Sequence, residues 1–282
     1  MFPGQGSQAK GMGGDLFDRF PEMTAAADRV LGYSIKELCL DDPRGELGLT
    51  QFTQPALFVV NALMFRARAE DGTPAPDFVA GHSLGEYNAL LAAGCFDFAT
   101  GVALVKARGA LMGRVSGGGM SAVIGLEPDR IQSVLHESEE GRRVDVANFN
   151  SFDQTVIAGP KDALAAVQPA LEAAGARMVV PLNVSAPFHS RYMRDAQREF
   201  ETFLQGFEFA APSMPVVSNV RARPYEGDMV RPTLAEQIGN SVRWLDSMLY
   251  LMDTPEPSFE ECGPGQVLTK LLKQIQKRKA KS

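Results

Sequence analysis

Apolar residues along this chain follow two rhythms. Over residues 15–31, 54–70 and 98–115 they recur every three to four positions, the spacing of helices with one buried face. Pro55 falls near the predicted start of the second of these, where a missing N–H costs little. Between them runs Asp77-Phe78-Val79-Ala80, short and apolar, which predicts a strand leading into a helix over 87–93. The cluster Gly117-Gly118-Gly119 then marks a break.

Beyond the break the rhythm changes. Strands are predicted over 120–126, 144–148, 154–159 and 177–182, with helices over 128–139 and 161–174. That order, βαββαβ, is the split βαβ pattern of a ferredoxin-like unit. Helix and strand patterns resume with a helix over 190–203, a strand over 214–219 and a helix over 233–252. The chain therefore reads as α/β, with an α/β body over 1–115 and 188–282 and a small inserted subdomain over 116–187. A cleft between two such units is the expected place for a ligand.

At 282 residues the chain can bury a full core. Hydrophobic residues at 45% and charged residues at 22% fit a globular protein. No apolar run has the length of a membrane span and no basic start precedes a hydrophobic stretch, so no membrane partner and a cytoplasmic location are expected. Cys39, Cys95 and Cys262 are odd in number and widely spaced, which fits reduced core thiols and neither a disulfide frame nor a metal site. The net charge of −6 hides an asymmetry: Lys270, Lys273, Lys277, Arg278, Lys279 and Lys281 put six positive charges at the C-terminal end, leaving −12 on the rest. So acidic a body is a poor nucleic-acid binder. The tail reads as a solvated helix end, with attraction of an acidic protein partner as the alternative.

The chemistry begins at Gly81-His82-Ser83-Leu84-Gly85-Glu86. A Gly-x-Ser-x-Gly turn between a strand and a helix is a nucleophile elbow: it lifts the serine hydroxyl clear of the sheet and leaves the next N–H, that of Leu84, free for an oxyanion. A serine nucleophile needs a base, and the chain has only three histidines. His82 is turned away by its place in the elbow, and His136 lies beside Glu137 and Glu139 on a helix expected at the surface. His189, where the chain returns to the body, remains as the general base. No Asp or Glu stands out between Ser83 and His189 to orient the ring, which leaves an amide or a backbone carbonyl for that task. Glycines on both sides of Gln5 let its N–H turn toward a ligand and act as a second oxyanion donor. Arg108 is an ordinary surface residue or, in a pocket, a bidentate clamp for a carboxylate.

Taken together, Gly4-Gln5-Gly6-Ser7-Gln8, Thr53-Gln54-Pro55-Ala56-Leu57, the Ser83 motif, Arg108-Gly109, Phe188-His189-Ser190 and Gly263-Pro264-Gly265 resemble the malonyl-CoA:acyl carrier protein transacylases. The resemblance spans essentially the whole chain and is closest to the discrete acyltransferases that serve polyketide synthases, with the fatty acid enzyme next. It implies an α/β-hydrolase-like body carrying a ferredoxin-like subdomain. Ser83 would take the malonyl group from malonyl-CoA and pass it to the phosphopantetheine thiol of an acyl carrier protein. Gln5 and Leu84 would hold the oxyanion, Arg108 the malonyl carboxylate with Gln54 nearby, and the backbone carbonyl of Gln237 would orient His189. Asn148 resembles a family asparagine near the cleft, and His82 is placed with the substrate-binding residues. Leu84 and Phe188 resemble malonyl-selective members, although Ala186-Pro187 departs from the His-Ala of modular synthase domains. No cofactor or metal is implied, and a monomer is expected. Family members reach the glycine loop through a full strand, so residues ahead of Met1 are expected too.

Two rivals stand beside this reading. An acyl hydrolase on the same fold would clear acyl groups from carrier proteins, but Arg108 opposes it, being an unpaired buried charge against a plain acyl chain. A noncatalytic docking subunit is opposed by the intact serine, histidine, glycine loop and arginine.

Overall fold

The computed structural model of the chain describes residues 1–280; Lys281 of the basic tail lies outside them. The N-terminal glycine loop leads into α1 (Leu16–Arg19), α2 (Pro21–Leu31) and α3 (Ile35–Leu40). The helix predicted over 15–31 is thus two, because Pro21 starts a new helix at its first position and its ring cannot continue the old one. Then come α4 (Thr50–Glu70), β1 (Val79–Ala80), α5 (Gly85–Ala92) and α6 (Phe98–Arg114). Helix α4 starts earlier than predicted, so Pro55 lies inside it. Nearly its whole circumference is buried, which explains an apolar stretch with little one-sidedness. Asp97 caps α6 by accepting the Thr100 N–H at 2.7 Å.

The inserted unit comprises β2 (Gly118–Ile124), α7 (Pro128–Glu137), β3 (Asp145–Ser151), β4 (Gln154–Pro160), α8 (Lys161–Ala173) and β5 (Met178–Pro181). Its four strands form one antiparallel sheet in the order β3-β4-β2-β5, the ferredoxin-like arrangement. Gly118 and Gly119 are strand residues paired with Pro160 and Gly159, so the predicted break falls only on Gly117, which adopts a positive φ of 84°. A separate core of residues drawn from Val123 to Val179 lies between this sheet and its two helices.

The chain then adds α9 (Arg194–Leu204), β6 (Val216–Val217), α10 (Val230–Gly239), α11 (Trp244–Met252) and α12 (Val267–Lys279). Strand β6 pairs in parallel with β1, and Phe2 bridges to Gly81 on the other side. The body is therefore a helical mass around a short parallel sheet. Its core includes Phe17, Phe58, Phe200 and Trp244, each buried to within about 1%, and each such side chain contributes roughly 1.5–3 kcal/mol of burial. Among the described residues no helix is long and apolar enough to cross a membrane.

The single helix predicted over 233–252 is two. Between α10 and α11 the chain leaves helical geometry to pair with β3: Val242 N donates to Ala147 O at 2.8 Å and accepts at its own carbonyl from Phe149 N at 2.9 Å. The apolar periodicity ran through this gap because Val242 is itself fully buried. The interruption frees the last carbonyls of α10, and one of them enters the site.

Candidate active site

Ser83 stands at the turn between β1 and α5 with φ of 50°, a left-handed conformation that a non-glycine residue holds only where its surroundings enforce it. The flanking glycines are forced by contact. A Cβ on Gly81 would lie 1.9 Å from the Gly85 carbonyl carbon, and one on Gly85 would lie 2.0 Å from Phe2 O. Asn219, just past β6, pins the turn by accepting from Ser83 N and donating to Gly81 O, both at 2.6 Å.

His189 also adopts a positive φ, 56°, in the loop that returns from the inserted unit. Its Nε2 lies 2.7 Å from Ser83 Oγ, and its Nδ1 lies 2.9 Å from the backbone carbonyl of Gln237 in the last turns of α10. A carbonyl only accepts, so Nδ1 carries the proton and Nε2 offers its lone pair to the serine hydroxyl. The orienting group is thus a backbone carbonyl, one of the two alternatives left open by the missing acid. Burial, and then the neighbouring charge of Arg108, push this imidazole down to about 3, so the resting ring is neutral.

Arg108, on α6, is the largest charged side chain in the core, only 1% exposed. Its guanidinium donates to Gln54 Oε1 at 2.8 Å, to Gln237 Oε1 at 2.9 Å and to Ser83 Oγ at 3.1 Å, and it lies 5.3 Å from the Tyr87 ring centre. Arg108 Nε has no partner among the described residues. A buried fork of N–H groups thus lies beside the Ser83 hydroxyl, with no carboxylate bonded to it among the described residues, an arrangement that suits an anion.

The glycine loop closes over the elbow. A Cβ on Gly4 would be 2.4 Å from His82 O and 3.5 Å from Leu84 N, so only glycine allows the two backbones to approach this closely. Asn61 holds the loop through a bond to Pro3 O at 3.0 Å. Among the described residues neither Gln5 N–H nor Leu84 N–H donates to another group. Two unengaged donors, one next to Ser83 in the chain and one on the loop packed over the elbow, are the kind of groups a tetrahedral oxyanion requires.

The remaining predicted residues are more scattered. Phe188 is 5% exposed and packs in the main core next to His189. His82 points from the elbow toward the inserted unit, 2.8 Å from Asn150 Oδ1 and tilted against Trp244. Asn148 lies on β3 with its side-chain oxygen buried and without a partner among the described residues, and it is Asn150 that reaches the elbow. His136 is exposed, yet it shares with Arg142, Phe149, Arg191, Arg194 and His189 a cleft of about 850 Å³ between the inserted unit and the body. Asn219, Asn150, Tyr225 and the carboxylate of Glu86 were not assigned roles from the sequence. Glu86 stood inside the quoted motif, and Asn219 closed a predicted strand.

A neutral histidine positioned on a serine, two free N–H groups and a buried guanidinium are the parts of serine-centred acyl transfer. The chain belongs to the acyl transferase domain family, which it matches over residues 1–281. It is 54% identical over 278 residues to the polyketide biosynthesis malonyl CoA-acyl carrier protein transacylase PksC of Bacillus subtilis, covering 98% of this chain and 96% of that protein. Identity to the malonyl CoA-acyl carrier protein transacylase of Escherichia coli is 41%, over 98% of this chain and 91% of that one. Among solved structures, the malonyl CoA-acyl carrier protein transacylase of Burkholderia pseudomallei superposes with a TM-score of 0.94 at 51% identity, covering 99% of this chain and 97% of that chain. A malonyl-transacylase in complex with a type II polyketide acyl-carrier protein superposes with a TM-score of 0.92 at 40% identity, over 97% of this chain and 91% of that chain.

Proposed function

We propose that the chain transfers a malonyl group from malonyl-CoA to the phosphopantetheine thiol of an acyl carrier protein, through a malonyl ester on Ser83. The observation that carries this reading is convergence: His189 Nε2 and the Arg108 guanidinium meet on one oxygen, Ser83 Oγ, at 2.7 and 3.1 Å. The base and the carboxylate-binding cation thus address the same reacting centre.

In the first half-reaction Ser83 Oγ attacks the thioester carbon while its proton passes to His189 Nε2. The tetrahedral oxyanion lies between Gln5 N–H and Leu84 N–H, and the Gln237 carbonyl stabilises the doubly protonated ring through Nδ1. Collapse breaks the carbon–sulfur bond, and His189 returns its proton to the departing CoA sulfur. In the second half the carrier's thiol gives its proton to His189 and attacks the ester, and Ser83 regains its hydrogen. Arg108 holds the malonyl carboxylate in both halves. That carboxylate also offsets the charge that depresses His189 and so makes the ring a better base.

Polyketide extender supply is the favoured setting, because polyketide-pathway relatives stand at 50–54% identity and the Escherichia coli transacylase at 41%. A cytoplasmic monomer goes with this reading. Initial rates with malonyl-CoA and a phosphopantetheinylated carrier varied together test the mechanism. Parallel double-reciprocal lines are expected from a covalent relay; intersecting lines would oppose it.

A further inference from the structure

Among the described residues, the buried core holds one carboxylate, Glu86, and one Lys or Arg side chain, Arg108. The two are not in contact. Gln237 stands between them: its Nε2 donates to Glu86 Oε2 and, at 2.9 Å, to Ser83 O, while its Oε1 accepts from Arg108 at 2.9 Å. The other carboxylate oxygen, Glu86 Oε1, accepts from Tyr225 OH at 2.7 Å and from Asn219 N at 3.1 Å.

We propose that Glu86 is a positioning residue for malonyl selectivity, its carboxylate fixing the orientation of the Gln237 amide and thereby the aim of the Arg108 guanidinium at Ser83. The inference rests on the reading of Arg108 given above.

The Gln237 and Asn219 N–H groups facing Glu86 can only donate and the Tyr225 hydroxyl donates to it here, an arrangement that an acceptor-only carboxylate satisfies in full. With Glu86 accepting, the Gln237 amide has one workable orientation, nitrogen toward Glu86 and Ser83 O, oxygen toward Arg108. Reversal would set N–H against N–H on one side and two oxygens against oxygen on the other. The same amide thereby holds an N–H of the guanidinium next to Ser83 Oγ. Burial raises the Glu86 carboxyl, against the opposing pull of Tyr225, Gln237, Asn219 and Arg108, to about 7. The donors from Gln237, Tyr225 and Asn219 favour the carboxylate form of Glu86 in place of an ion pair. Gln237 therefore serves the site twice: its backbone orients the base and its side chain carries the effect of Glu86 to the cation.

Glu86→Gln keeps the size and removes the charge. Its amide must turn an N–H toward either Gln237 or Asn219, and one donor is left facing another. The measurement is kcat/KM for acylation by malonyl-CoA and by acetyl-CoA in wild type, Glu86→Gln, Arg108→Ala and the double variant, with thermal melting of each. The malonyl-over-acetyl ratio is expected to fall about tenfold in Glu86→Gln, with acetyl transfer within about threefold of wild type. In the Arg108→Ala background Glu86→Gln should leave the ratio unchanged. An equal loss with both donors, or a further fall of the ratio without Arg108, overturns the proposal. Should Glu86→Gln fail to fold, Tyr225→Phe removes one donor to the same carboxylate. A smaller fall in the ratio is then expected, and an unchanged ratio overturns the proposal. If Arg108→Ala alone leaves the ratio intact, the reading of Arg108 fails and this inference falls with it; if only Glu86→Gln and Tyr225→Phe do, this inference fails alone.

Discussion

Replacing Arg108 with alanine removes the cation assigned to the substrate carboxylate, and its effect can be sized from the site. A bidentate guanidinium–carboxylate pair supplies two charge-assisted hydrogen bonds, each contributing about 1.5–3 kcal/mol. The gain is smaller than their sum, because the resting guanidinium already donates to Gln54, Gln237 and Ser83. Binding malonyl therefore exchanges some neutral acceptors for a charged one. A net loss of about 3 kcal/mol, roughly 10²-fold in kcat/KM, follows for malonyl-CoA. Acetyl-CoA has no carboxylate to lose, and the alanine variant no longer buries an unpaired cation against its methyl group. Its rate should hold or rise. Rapid-quench acylation with each donor measures the ratio directly. Arg108→Lys retains the charge without the fork and should fall between wild type and alanine. A folded Arg108→Ala protein with a ratio within threefold of wild type would refute the clamp, as would an equal fall with both donors.

The elbow and the base offer two further tests. Gly81→Ala would drive a methyl group to 1.9 Å from the Gly85 carbonyl carbon, so a destabilisation of about 3 kcal/mol or more and loss of acylation are expected. Gly48→Ala, with open space around the new atom, should change urea stability by less than about 0.5 kcal/mol; similar melts for the two would contradict the packing argument. His189 is neutral when folded because burial and Arg108 push it down to about 3, whereas the unfolded residue takes a proton below its ordinary 6.5. The unfolded state thus binds more protons in that window, and this residue's contribution to stability falls as pH drops through it. Between about pH 7 and pH 5, His189→Gln should lose less urea stability than wild type; matching slopes would contradict a neutral buried ring.

The parts of the site that sequence reasoning reached are those whose chemistry leaves few choices. A glycine-flanked serine between a strand and a helix announces itself, and with three histidines in the chain the one that meets Ser83 was a short search. The inserted unit was also legible, because its strands are amphipathic or apolar runs cut by clear turns, and the pairing β3-β4-β2-β5 follows from the element order. Other contacts were hidden by distance along the chain. Asn219 and Tyr225 reach Glu86 and the elbow across more than 130 residues, and each, read locally, is an ordinary polar residue near a strand. Glu86 lies in the first turn of α5, a position where acids are common. Only the fold shows that this turn is buried. The gap between α10 and α11 was missed for the opposite reason: Val242 preserves a helical apolar rhythm, and its pairing with Ala147 and Phe149 overrides it.

The central claim is that Ser83 carries the acyl group between two thiols. Intact-protein mass spectrometry after brief mixing with malonyl-CoA, followed by a phosphopantetheinylated carrier protein, tests it most directly. The account predicts one malonyl adduct per chain, mapping to Ser83 and absent from Ser83→Ala, which disappears from the enzyme as the carrier gains the same mass. An adduct that decays to free malonate while the carrier stays unmodified would make the chain a hydrolase, and an adduct that persists in Ser83→Ala would remove the nucleophile from the account.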